Sequence, residues 1–63
     1  MRTPYRLMTP DERKAHVHRQ CVEARGLMDV FPDLKRWQVE RALLDVFPDQ
    51  RKLIKVMMGE LFA

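Results

Sequence analysis

The tightest constraint on this chain is a five-residue word used twice. Asp-Val-Phe-Pro-Asp stands at Asp29–Asp33 and returns, 16 residues later, at Asp45–Asp49. Leu27 and Leu43 lead the two copies in the same register. Proline drives the residue before it out of helical backbone, yet is itself tolerated in a first helical turn. Phe31 and Phe47 should therefore each end a helix, and Pro32 and Pro48 should each open the next. The Asp after each proline sits where a carboxylate caps free N–H groups or favours the helix dipole. We read the word as punctuation between helices, with Phe31 and Phe47 turned inward to hold each bend. Asp29 and Asp45, at helix C-terminal ends, are expected to bond forward to the next helix. Two units are too few for a solenoid.

The first helix starts with Thr9, Pro10, Asp11 and Glu12. Thr9 can accept from a backbone N–H two or three residues on, Pro10 suits the first helical position, and Glu12 completes a capping box. An apolar stripe follows at Val17, Cys21, Ala24, Met28 and Phe31, spaced four and three in alternation and widened by Leu27. That periodicity predicts a helix over Pro10–Val30. A second should run from about Asp33 to Val46 and a third from about Asp49 to Phe62. The expected fold is all-α: a three-helix domain over residues 9–63, one long helix then two shorter ones, behind a flexible basic arm at residues 1–8.

With 63 residues, 46% hydrophobic and 33% charged, the composition is that of a folded protein. A chain of this length buries only about 60% of the surface its unfolded form exposes, so small domains often recruit staples or a partner. Cys21 is the single cysteine, which excludes an intramolecular disulfide and suits a reducing compartment. Residues 1–8 lack the apolar run of a signal peptide, and no segment is apolar enough to span a bilayer. The expected location is the cytoplasm. The net charge of +3 is concentrated in residues 1–26, whereas residues 27–63 balance.

Few residues promise chemistry. His16 and His18 point to nearly opposite sides of a helix, and His18 with Cys21 supplies two ligands where zinc needs about four. The aspartates are better used as caps than as a cation site. We expect no metal and no cofactor, with His16 and His18 exposed and Cys21 a small apolar filler. No serine and no glycine-rich phosphate loop occur, so a non-enzymatic protein is expected.

The second and third helices are more apolar than a band of roughly 100° needs. Something should cover the surplus: a second copy in a homodimer, or a protein whose surface is acidic and apolar. The residues expected to meet it are Trp37, Leu53, Val56, Met57, Met58, Leu61 and Phe62, with Arg13, Lys14, Arg19 and Arg25 as a basic steering face. Such a protein would bind and modulate another, in the manner of small phage-type regulators that inhibit host machinery. The alternative is a DNA-binding regulator of helix-turn-helix type, using Gln50, Arg51, Lys52 and Lys55 on the third helix and Arg2 and Arg6 on the arm.

Overall fold

The computed structural model describes residues 3–62, which form three α-helices and no strand: α1 at Pro10–Val30, α2 at Arg36–Val46 and α3 at Arg51–Leu61. Tyr5–Leu7 and Pro48–Gln50 are short 3-10 turns. The all-α, three-helix architecture expected from the sequence is present, and α1 has the expected bounds. Its capping box is complete: Thr9 Oγ1 accepts from Glu12 N–H at 3.2 Å, and Glu12 Oε1 accepts from Thr9 N–H at 3.1 Å.

The two copies of the repeated word make the same backbone corner and then diverge. Phe31 and Phe47 have φ/ψ of −116°/87° and −123°/65°. Each donates its N–H to the leucine four residues back, at 2.8 Å in both cases. After Phe47, Pro48 opens a helical turn at once, as expected, and leads into α3. After Phe31 the chain instead makes a turn closed by Leu34 N–H to Phe31 O at 3.0 Å, and α2 begins only at Arg36, not near Asp33. Asp33 therefore caps nothing. The cap position falls on Lys35, which has no acceptor to offer; the end is secured from the other side, with Gln38 Oε1 accepting Lys35 N–H at 2.9 Å.

The two phenylalanines also differ in burial. Phe47 is 7% exposed, whereas Phe31, expected to point inward, is 55% exposed. Phe47 has aromatic company: Tyr5 and His16 lie 5.2 and 5.6 Å from its ring. His16 is accordingly half-buried, not exposed as expected, while His18 is exposed. Nothing comparable covers Phe31 at the end of α1. The outer aspartates do not bond forward either. Asp29 pairs with Arg25 one turn back, at 3.0 Å, and Asp45 makes no side-chain hydrogen bond among the described residues.

The core combines Val17 and Cys21 of α1, Val39 and Leu43 of α2, Phe47, and Ile54, Met57 and Met58 of α3. Both α1 and α2 pack against α3 and only weakly against each other. His16 meets Phe47 just before α3, and Arg25 Nε reaches Leu61 O at its end, 3.4 Å away. Helices α1 and α3 therefore run side by side in the same direction, with α2 returning between them in sequence. Each fully buried aliphatic side chain contributes about 1.5–3 kcal/mol by leaving water.

The arm expected to be flexible is docked over its described part. Tyr5 Oη donates to Asp49 Oδ2 at 2.8 Å, and Tyr5 also contacts His16, with ring centroids 5.9 Å apart. Arg13 locks it from α1: Nε donates to Tyr5 O at 3.2 Å, Nη2 to Arg6 O at 2.9 Å, and the guanidinium lies 5.4 Å from the Tyr5 ring. The aromatic contacts and the satisfied carbonyls offset the entropy of ordering a short segment.

Two outcomes are expected. Ile54→Ala should lower unfolding stability by about 3 kcal/mol in urea titrations, whereas Phe31→Ala should cost less than about 1 kcal/mol, because only the first empties a closed site. The Thr9 backbone N–H, first, and its hydroxyl hold the Glu12 carboxyl below its ordinary value of 4.5. A depressed folded value means that the box stabilises above the ordinary Glu range and loses that contribution as pH falls through the depressed value. Circular dichroism below pH 4.5 should therefore show α1 weakening with acid, less steeply in Glu12→Gln, which keeps a neutral acceptor.

Candidate functional site

The residues expected to meet a partner are scattered by the fold. Met57 and Met58 are buried at 5% and 0% exposure, so they fill the core. Leu53, Leu61 and Phe62 are half-buried. Only Val56 and Trp37, at 57% and 60%, are open. Trp37 shares a flank of α2 with Arg41 and Leu44, at i+4 and i+7, and Val56 is on α3. The surplus oil of the third helix is thus largely absorbed internally. Its width reflects a helix packed on two neighbours, where a single stripe would serve only one.

The basic steering face divides as well. Arg13 is occupied with the docked arm. Arg25 forms a clamp: besides Leu61 O and Asp29, its guanidinium lies 5.1 Å from the Phe62 ring, and that of Arg36 lies 5.2 Å from the same ring. Two cations from α1 and α2 thus close over the C-terminal end of α3, where positive charge complements the helix dipole. Lys14 and Arg19 remain exposed. Among the expected nucleic-acid residues, Arg6, Arg51, Lys52 and Lys55 are exposed and Gln50 is half-buried, while Arg2 lies outside the described residues.

What the fold does bring together is a flank where α1 meets α3. Lys14, His18, Arg19 and Val22 of α1 line a shallow depression with Leu53 of α3. Val56, one turn beyond Leu53 on α3, is exposed outside the depression, with Glu60 a further turn along the same face. Lys14, His18 and Arg19, all from α1, thereby border an apolar patch made by Val22 and Leu53. Val22, His18 and Leu53 meet because α1 and α3 run parallel. Val22 was legible only as an apolar residue off the main seam of α1.

A second feature went unforeseen. Between α1 and α2 lies a cleft of about 300 Å³, lined by Ala24 and Leu27 on one side and Leu34, Ala42 and Val46 on the other, with Val39 at its base. It is open because both helices lean on α3 and not on each other. Leu27 and Val46 are 49% and 65% exposed, and Val30, the last residue of α1, and Phe31 after it are 68% and 55% exposed.

Among the described residues, no three His, Cys, Asp or Glu side chains gather as metal ligands. None of the helices is long and apolar enough to cross a membrane. Cys21 is wholly buried, and loss of hydration pushes its thiol above the usual 9.0. Iodoacetamide should label it roughly a hundredfold more slowly in the native protein than in denaturant, with labelling tracking unfolding. Rapid native labelling would show that the α1–α3 seam opens locally. No protein-family model, curated protein or solved structure matches this chain.

Proposed function

We propose that this chain is a non-enzymatic binding protein that modulates, by occlusion, another protein whose contact surface is acidic at its edges and apolar at its centre. The observation that supports the reading is the α1–α3 flank, where Lys14, His18 and Arg19 border Val22 and Leu53. Its chemistry divides the work of binding. Exposed lysine and arginine raise the rate of encounter with an acidic surface, and desolvation of Val22, Leu53 and Val56 slows departure. The flank sits on two helices tied by a shared core, so little ordering is needed on docking. Of the surface expected from sequence, Leu53 and Val56 are kept, Val22 is added, and Trp37, Met57, Met58, Leu61 and Phe62 fall outside it. Of the steering residues, Lys14 and Arg19 remain.

DNA binding is the second reading. It draws support from Arg6, Arg51, Lys52 and Lys55, all exposed at or near the end where α1 and α3 begin. Affinity pull-downs from nuclease-treated native lysate separate the two, using the full chain as bait. Val56→Asp and Lys14→Glu should each weaken capture of the partner, by about tenfold or more for Val56→Asp, while Arg51→Glu/Lys55→Glu leaves it unchanged. Capture indifferent to Val56→Asp and Lys14→Glu contradicts the protein-binding reading. Retardation of duplex DNA that falls steeply with salt and disappears in Arg51→Glu/Lys55→Glu would establish the alternative.

A further inference from the structure

We infer that the α1–α2 cleft is a two-fold docking surface for a second copy of this chain, with α2 of each copy lying antiparallel across the other. The argument begins with the charge order along the outward stripe of α2. Lys35, Gln38, Ala42 and Asp45 follow one another at spacings of three, four and three, the repeat that keeps side chains on one face of a helix. A positive charge stands at the start of the stripe and a negative one at its end. The middle is uncharged, and its central residue, Ala42, is small enough to let another helix approach closely. Ala42 and Val46 also line the cleft, so the stripe and the cleft form one surface.

This order is complementary to itself only in reverse. Ten residues of helix span about 15 Å. A two-fold axis perpendicular to α2 near its midpoint therefore sets Lys35 of each copy beside Asp45 of the other, and Asp45 beside Lys35. A parallel copy would put like charges together. Among the described residues neither forms an ion pair within the chain, the pair present being Arg25–Asp29; Arg41, one helical turn before Asp45, is the nearest opposite charge on α2. Each also stands at the wrong end of its own helix dipole, a cation at the N-terminus and an anion at the C-terminus. Antiparallel docking corrects both, because each charge then faces the opposite pole of the other helix.

The surface to be covered is already apolar. Leu27 and Val46 line the cleft, and Val30 and Phe31, one helical turn beyond Leu27, are exposed. An exposed apolar corner next to an apolar cleft is what an isologous interface requires, since each copy must supply both halves. The net charge of +3 does not oppose this pairing strongly. Lys14, His18, Lys52 and Lys55 do not line the cleft, exposed Arg41 is the cation on α2 nearest the stripe, and at physiological salt charges separated by more than about 8 Å are largely screened. The dimer leaves the α1–α3 flank open on each copy, so it is independent of the binding role proposed above.

Sedimentation equilibrium of the full chain tests the inference. The expected mass is twice 7.6 kDa. Lys35→Glu and Asp45→Lys should each raise the dimer dissociation constant about tenfold, because each reversal sets like charges together at both symmetry-related pairs. The double reversal should bring it back to within about threefold of the native value. Ala42→Glu should yield monomers whose circular dichroism is still helical. A monomer at millimolar chain concentration overturns the inference, as does a double reversal no better than the single ones. A dimer broken by Val56→Asp but not by Ala42→Glu would place the contact on the other flank and overturn it equally. Failure here leaves the capture experiment above unaffected.

Discussion

One apolar stripe on α3 carries the weight of this fold. Ile54, Met57 and Met58 are buried, with Leu61 packed behind them, and they face α1 on one side and α2 on the other. The other two helices have little direct contact, so their relative placement is set through α3. That dependence explains both candidate surfaces. Where α1 meets α3 in parallel, Lys14, His18 and Val22 are brought beside Leu53. Where α1 and α2 fail to meet, the cleft opens and Leu27 and Val46 stay wet.

Polar side chains reinforce the arrangement at its two ends. Near the start of α1 and α3, Arg13 binds two carbonyls of the docked arm while Tyr5 donates to Asp49. Loss of hydration and then the Asp49 carboxylate raise the Tyr5 hydroxyl pKa above 10.0, so that bond persists across the neutral range. At the far end, Arg25 and Arg36 close over Phe62. Neither end is closed by an isolated surface ion pair. Each uses guanidinium groups against aromatic rings and backbone carbonyls, contacts less easily screened by salt than an exposed pair.

Much of the helical outline was legible in the residues. The box at Thr9 and Glu12 depends on neighbours three positions apart, and so does the seam from Val17 to Met28; such local patterns need no knowledge of the fold. The same holds for the two Phe-Pro corners, whose backbones agree closely. Burial was not legible. Phe31 and Phe47 sit in identical five-residue words, yet only Phe47 is covered, because Tyr5 arrives from more than forty residues away in sequence. Met57 and Met58 looked like an open surface, since a stripe facing two neighbours resembles one facing a neighbour and a partner. Arg13 and Arg25 counted as solvent-facing charge because their carbonyl and aromatic partners come from other elements. The cleft left no trace in periodicity, being defined by a contact that α1 and α2 do not make.

Amide hydrogen exchange at increasing denaturant, residue by residue, bears most directly on the role of α3. If α3 is the shared support, then Val17–Met28 of α1, Val39–Val46 of α2 and Ile54–Leu61 of α3 should open as one unit, with a common free energy and a common dependence on denaturant. Protection that survives in both α1 and α2 after α3 has exchanged would show that those helices hold each other without it, and would contradict the account.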